Sequence, residues 1–375
     1  MKQEIRSRII NLFSNVNKRL IKEKKPCISA IVISNREDGG ADRTFYQITG
    51  SYETNLIYST AAAFDDGRVV LSVSELEKEE AKKTGLPYKI FNPEGFSIKN
   101  LLKTRKYAGI HGKYLSYNLA ENIKKSGCHL IDITNEINQF KINKTAFELE
   151  NLKKACNISS LIANNIPKWI KPGITELELC ARVEYEMHKA GSEEPAFPTI
   201  VAFGKNSAVP HHRTGNTLLK KGNLVLIDFG ASIGKMRSDI TRVFVCGKAN
   251  KSQRLLYEHV LGVQTHALEK LKAGMDGAEL SRETVKAANK FSLIKGKKGR
   301  MNHSLGHSIG IETHDGCILG GEKAFLVPEG LVTTVEPGIY IPGWGGVRIE
   351  DDVLVTKKGI INLTAKAFKD ILVEV

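Results

Sequence analysis

The polar and apolar positions of this chain change period several times, and each change predicts an element. Near the start Ile5, Ile9, Leu12, Phe13 and Val16 recur at helical spacing, and Cys27 to Ser34 is a β-rich run. Phe45-Tyr-Gln-Ile-Thr-Gly50 follows, then Gly67-Arg-Val-Val-Leu-Ser-Val73. Ser74 is placed to cap a charged helix over Glu75 to Thr84, with Gly85 as its stop. The alternation continues through Gly109-Ile-His, the helical stretch Leu119 to Lys125, and Cys128-His-Leu-Ile-Asp-Ile-Thr134. The result is an α/β unit of ordinary domain length. His111 and His129 stand alone in it and read as structural or surface residues.

A boundary falls near Ile142-Asn-Lys-Thr145, dividing the chain into residues 1–141 and 142–375. Beyond it a long helix is predicted from about Ala146 to Ile166. Lys171-Pro-Gly-Ile-Thr then introduces another over Glu176 to Ala190, where Thr175 and Glu178 have the spacing of a capping box. Two apolar runs bounded by glycine or polar residues follow, Leu224 to Asp228 and Ile240 to Val245, and read as buried strands. Asp228 ends the first and Asp239 heads the second, with Gly230 to Lys235 joining them.

The pattern then repeats. Lys272-Ala-Gly-Met-Asp-Gly-Ala-Glu-Leu280 echoes Lys171-Pro-Gly-Ile-Thr-Glu-Leu-Glu-Leu179, and Gly330 to Glu336 echoes Gly222 to Asp228. Gly346-Val-Arg-Ile-Glu350 begins a further strand with an acid at its head, matching Asp239. The offset between matching positions grows slowly along the chain, as insertion in loops would produce. Each half thus supplies two helices and a pair of strands, and a pseudo-twofold relation would gather four acids around one axis.

Four carboxylates among apolar residues need neutralising, because an unpaired buried charge costs several kcal/mol even after relaxation. Two ion pairs, Asp239 with Arg242 and Glu350 with Arg348, are the ordinary alternative. Divalent cations answer all four acids at once and are the better reading. Histidines stand nearby. Asn302-His-Ser-Leu-Gly-His-Ser-Ile-Gly-Ile-Glu-Thr-His-Asp315 carries His303, His307 and His314, and Pro210-His-His-Arg213 carries His211 and His212. Gly306 and Gly310 suggest close backbone approach or unusual φ there. A carboxylate-rich site with an imidazole suits Mn²⁺, Co²⁺ or Zn²⁺ and argues against a thiolate-type structural zinc.

Composition narrows the picture further. With 375 residues, 41% hydrophobic and 26% charged, the chain has the make-up of a soluble globular protein of two domains. The net charge of +14 comes from lysine spread along the chain, with one short basic run, Lys295 to Arg300. No aromatic residues interleave that run, so nucleic acid is not an expected partner. The six cysteines show no close pairing and read as reduced thiols. The charged start does not resemble a signal peptide and no apolar stretch is long enough to span a bilayer, so the expected location is the cytoplasm, with no membrane partner.

Asp228, Asp239, His307, Glu336 and Glu350, set in D-F-G, S-D-x-T-R, G-H-x-x-G, V-E-P-G and R-I-E-D, resemble the ligand set of the pita-bread metallopeptidases, the family of methionine aminopeptidase, aminopeptidase P, prolidase and creatinase. The resemblance covers roughly Thr145 to the C-terminus. The first part is similar to the N-terminal domain of the prolidase, aminopeptidase P and creatinase branch. It implies an α+β protein whose pita-bread domain, an internal duplication, follows a smaller α/β creatinase-like domain.

The resemblance also implies two divalent metal ions per chain. Asp228 would chelate one, His307 and Glu336 the other, and Asp239 and Glu350 both, with a bridging hydroxide attacking the scissile carbonyl. Glu336 would move the proton towards the leaving nitrogen. His211 and His314 would steady substrate and oxyanion, and Arg348, on the strand face of Glu350, would orient that ligand from behind. His303 is a further neighbour of the site, and His212 is read as a surface residue. The substrates implied are peptides with proline at the second position, and the assembly implied is a homodimer. Many prolidases follow the second histidine with Glu-x-Pro-Arg, whose arginine holds a dipeptide's carboxylate; here the residues are His314-Asp315-Gly316-Cys317-Ile318, which puts strict dipeptidase action in question. Two other readings are a creatinase-like hydrolase of a non-peptide amidine and a peptidase-like binding protein without catalysis. The complete ligand set speaks against the latter.

Overall fold

A computed structural model describes residues 2–36, 40–92, 97–292 and 298–375. Residues 295–297 of the basic run Lys295 to Arg300 lie outside the described residues. The chain forms two compact units, residues 1–145 and 146–375.

In the first unit the helical periodicity at the start becomes the helix Lys2–Lys22, which buries Ile5, Ile9, Leu12, Phe13, Val16 and Leu20 along one stripe. A mixed sheet runs in the order Tyr88–Ile90, Val69–Val73, Tyr58–Phe64, Ala30–Arg36, Tyr107–Ile110, His129–Asp132. Ala30, Val32, Ala62, Phe64 and Ala108 share a core with Ile98, Leu102 and Ile123, contributed by the helices Ile98–Leu102 and Tyr117–Lys124. The expected helix from Glu75 to Thr84 is instead a 3₁₀ turn, Glu75–Glu77, followed by the α-helix Lys78–Thr84, which stops at Gly85 with φ 62°. Ser74 makes no capping hydrogen bond. The reason is Glu77, whose buried carboxylate turns back to accept from Tyr58 N at 2.8 Å and Ser59 Oγ at 2.7 Å. His111 is buried with Nδ1 2.7 Å from Asp42 Oδ2, while exposed His129 stacks on Tyr107.

The second unit is built from the duplicated elements. Helices Ala146–Asn165 and Glu176–Lys189, the latter begun by the Thr175/Glu178 capping box, lie against an antiparallel meander of Ile200–Phe203, Leu224–Phe229 and Ile240–Val245, joined in parallel by Val373–Glu374. Side chains alternate across that sheet. Val225, Ile227, Phe229, Ile240 and Phe244 pack against Ile162, Leu179, Val183 and Met187 of the helices. Leu224, Leu226, Val243 and Val245 pack the other way, against Leu256, Val260, Ile339, Val347 and Ile349 of the second half. Asp228, Asp239 and Thr241 have this second parity, so the pleat aims their carboxylates and hydroxyl towards the other half.

That half repeats the order with helices Lys251–Lys270 and Gly277–Ala288 and the antiparallel strands Val332–Val335 and Asp351–Thr356. A small hairpin separates the strands in both halves, Ser232–Ile233 with Met236–Arg237 in one and Gly338–Ile341 with Gly345–Arg348 in the other. The second hairpin corrects the expectation of one continuous strand from Gly346 onward. Glu350 sits in the break, where the chain leaves its hairpin partner for Val332–Val335 and Glu350 N donates to Thr241 O at 3.3 Å. All six cysteines are free thiols. Among the described residues no helix is long and apolar enough to cross a membrane.

Candidate metal centre

The acids expected at the strand ends converge on one cavity of about 780 Å³, lined by Asp228, Asp239, His307, Glu336 and Glu350 together with His211, His303, His314, Tyr340 and Arg348. Donor atoms of Asp239, His307 and Glu350 all lie within 4.8 Å of one another. His307 Nε2 is 3.7 Å from Asp239 Oδ2 and 3.5 Å from Glu336 Oε1. His307 is fixed by its backbone, which receives Thr333 Oγ1 on its carbonyl at 2.9 Å and donates to Thr334 Oγ1 at 3.0 Å. Gly306 before it permits this approach, since a Cβ there would stand 2.1 Å from Thr334 O.

The electrostatics are those of a cation site. Burial and the neighbouring charges of Glu350, Asp228, Asp352 and Glu336 push Asp239 well above the usual carboxylate range. Burial, Glu336 and Asp228 do the same to Glu350, and burial chiefly raises Glu336 to about 8. Burial and His314 hold His307 down to about 3, so its imidazole is neutral. With Nδ1 placed on Ser308 O at 3.3 Å, Nε2 presents a lone pair to the carboxylate oxygens of Asp239 and Glu336. Oxygen and nitrogen lone pairs facing one another call for a positive ion between them. Asp228 Oδ1, buried without a hydrogen-bond partner, is a further donor of this kind. The residues fit a hard or borderline divalent cation.

Neither ordinary ion pair forms. Arg242 turns away from Asp239 and pairs with Asp351 at 2.7 Å, so Asp239 has no arginine. Arg348 forms no ion pair with Glu350; its Nη2 donates to Asp228 Oδ2 at 2.6 Å. It reaches Glu350 through Thr241, whose Oγ1 accepts from Arg348 Nε at 2.9 Å and donates to Glu350 Oε2 at 2.6 Å. Burial opposes the charge of Arg348, but Tyr340, Asp228, Glu350 and Glu336 outweigh it and raise the guanidinium's pKa further.

The remaining histidines divide. The ring of His314 lies 4.0 Å from that of His307, centroid to centroid. His303 bonds Tyr340 OH at 3.1 Å, and Tyr340 OH in turn receives Arg348 Nη1 at 2.8 Å. His211 is exposed on the cavity wall. His212 is not the surface residue expected, for its Nε2 bonds the buried Glu176 Oε2 at 2.9 Å. Sequence reading missed Thr241, Tyr340 and Glu176. Thr241 had a signal, lying two residues from Asp239 and so on its strand face; the other two become visible only in three dimensions.

Residues 150–357 match the metallopeptidase family M24. The chain is 40% identical over 309 residues to the Xaa-Pro dipeptidase of Pyrococcus furiosus, covering 80% of this chain and 85% of that protein. The crystal structure of the prolidase from Pyrococcus horikoshii OT3 superposes with a TM-score of 0.83 at 32% identity, covering 98% of this chain and 100% of that one. The X-Pro aminopeptidase of Thermotoga maritima MSB8 gives a TM-score of 0.81 at 29% identity, over 95% and 98% of the two chains. The chain belongs to metallopeptidase family M24, with the pita-bread fold and the divalent metal dependence of that family.

Proposed function

We propose that this metallopeptidase hydrolyses the bond between an N-terminal residue and a following proline, with two divalent cations, Mn²⁺, Co²⁺ or Zn²⁺, held by five side chains. The observation that carries the reading is the convergence of Asp228, Asp239, His307, Glu336 and Glu350 on one cavity, with Arg242 turned from Asp239 to Asp351 and His307 Nε2 facing Asp239 and Glu336. Likeness to proteins named Xaa-Pro dipeptidase, prolidase and X-Pro aminopeptidase supplies the substrate class.

Asp228 would hold one ion, His307 and Glu336 the other, and Asp239 and Glu350 both. Bound there, the cations would lower the pKa of a water and polarise the scissile carbonyl. The chain's own groups do the rest. Arg348 fixes Asp228 directly and Glu350 through Thr241, holding two ligands in place before substrate arrives. Glu336 would carry a proton to the departing proline nitrogen. His211 and His314 line the same cavity and would donate to the carbonyl oxygen as it gains charge. Phe197, Pro198, Ile200 and Ile318 offer an apolar wall for the pyrrolidine ring. Two chains would pair as a homodimer, a state read by light scattering.

The test is hydrolysis of Xaa-Pro and Xaa-Pro-Yaa peptides after chelation and reloading with each metal. Activity should return with metal and be absent in Asp239→Ala. Loaded protein that leaves both peptide classes intact would sink the reading, and turnover of creatine instead would favour an amidinohydrolase.

A further inference from the structure

Two arginines line the catalytic cavity among the described residues, and they differ in what they are free to do. Arg348 is buried and engaged with Asp228, Thr241 and Tyr340. Arg213 is exposed and makes no hydrogen bond or ion pair among the described residues. Its backbone, by contrast, is held on both sides. His212 Nε2 bonds Glu176 Oε2 at 2.9 Å, and Gly215 N donates to the same oxygen at 3.1 Å. Thr214 Oγ1 accepts from Val201 N at 2.9 Å and donates to Thr199 O at 3.0 Å. Pro210 O accepts from Arg348 Nη1 at 3.5 Å, tying the start of the segment to the metal centre itself. His212 turns inward while His211 and Arg213, one residue to either side, stay exposed on the cavity.

An unengaged guanidinium on a fixed backbone, in the wall of a peptide site, is a receptor for a carboxylate. The metal-site acids attract cations, so the cavity's other charge preference is set by Arg213. Resting on the Xaa-Pro reading above, we propose that Arg213 binds the terminal carboxylate of the substrate and so selects dipeptides. In an Xaa-Pro dipeptide that carboxylate belongs to the proline itself, one residue beyond the scissile carbonyl. A longer peptide places a neutral amide there. Ile318, on the same cavity, offers no charge to compete.

The test compares Xaa-Pro, its C-terminal amide Xaa-Pro-NH₂ and Xaa-Pro-Yaa on the metal-loaded full chain, with Arg213→Met and Arg213→Lys. The parent should favour the free acid. Arg213→Met should raise KM for the acid by about tenfold to a hundredfold and KM for the amide far less, with circular dichroism and metal binding checking the fold. Arg213→Lys should restore part of the preference. An acid-to-amide ratio unchanged in Arg213→Met, or equal loss on both, would overturn the assignment while the peptidase reading stands. A parent inert on all three peptides would overturn both.

Discussion

The hydroxyl of Thr241 donates to Glu350 Oε2 at 2.6 Å and accepts from Arg348 Nε at 2.9 Å, so one small side chain links a cation ligand to the guanidinium that also holds Asp228. Thr241→Val keeps the shape and removes both bonds. Glu350 then loses its hydroxyl donor and Arg348 an acceptor, with no cavity created. Outer partners of this kind typically affect metal affinity by about 10–100-fold, and that weakening is the expected result, read by titration with a competing chelator. Fold stability in the metal-free protein should change far less. At this scale the sequence was partly legible. An acid at the end of an apolar run is unusual enough to mark Asp228, Asp239, Glu336 and Glu350, whereas threonine in a strand is ordinary and only the two-residue spacing from Asp239 pointed to Thr241. Arg348 was found from its place beside Glu350, yet its main partner, Asp228, belongs to the other half and could not be read from spacing.

Between elements, Arg242 is one of the buried contacts that join the two halves. From the strand Ile240–Val245 its Nη2 donates to Asp351 Oδ1 at 2.7 Å and Ala367 O at 3.0 Å, and its Nη1 to Glu350 O at 2.6 Å. Lys369 holds the other oxygen of Asp351. Arg242→Met would take a donor from Glu350 O and Ala367 O and leave Asp351 Oδ1 with Thr364 Oγ1 alone, at 3.2 Å. Removing one partner of a buried pair costs roughly 3–5 kcal/mol, and the remaining Lys369 places the expected loss near the lower end. Chemical denaturation with metal present should show it as a lower midpoint at unchanged slope. The elements themselves were legible where period decided: the helix Lys2–Lys22, the capped helix Glu176–Lys189 and the strands bearing Asp228 and Asp239. They failed where a single side chain overrode period. Glu77 reaching back to Ser59 split one predicted helix, and the change of partner at Glu350 split one predicted strand.

On the scale of the molecule, the duplication gathers acids from both halves around one point, and the energetic cost of doing so is visible in the metal-free protein. A carboxyl group whose pKa is raised on folding binds more protons folded than unfolded, so stability falls as pH rises between the two values. For Glu336 that window runs from the ordinary 4.5 to about 8, and Asp239 and Glu350 are displaced in the same direction. Chelated protein should therefore lose thermal stability across this range, while protein saturated with cation should lose much less, since binding to the folded state alone contributes RT ln(1 + [L]/Kd), about 2.7 kcal/mol at a hundredfold excess over Kd. The same argument separates stability from function. Asp239→Asn removes one charge at the crowded centre without disturbing its backbone bond to Asp352. Chelated Asp239→Asn should melt above the chelated parent, by a margin that widens with pH, and should respond weakly to added cation. Scanning calorimetry of both proteins with and without chelator measures this directly. Equal melting of the two chelated forms at alkaline pH would mean that these acids are neutralised by something other than the ions assigned to them.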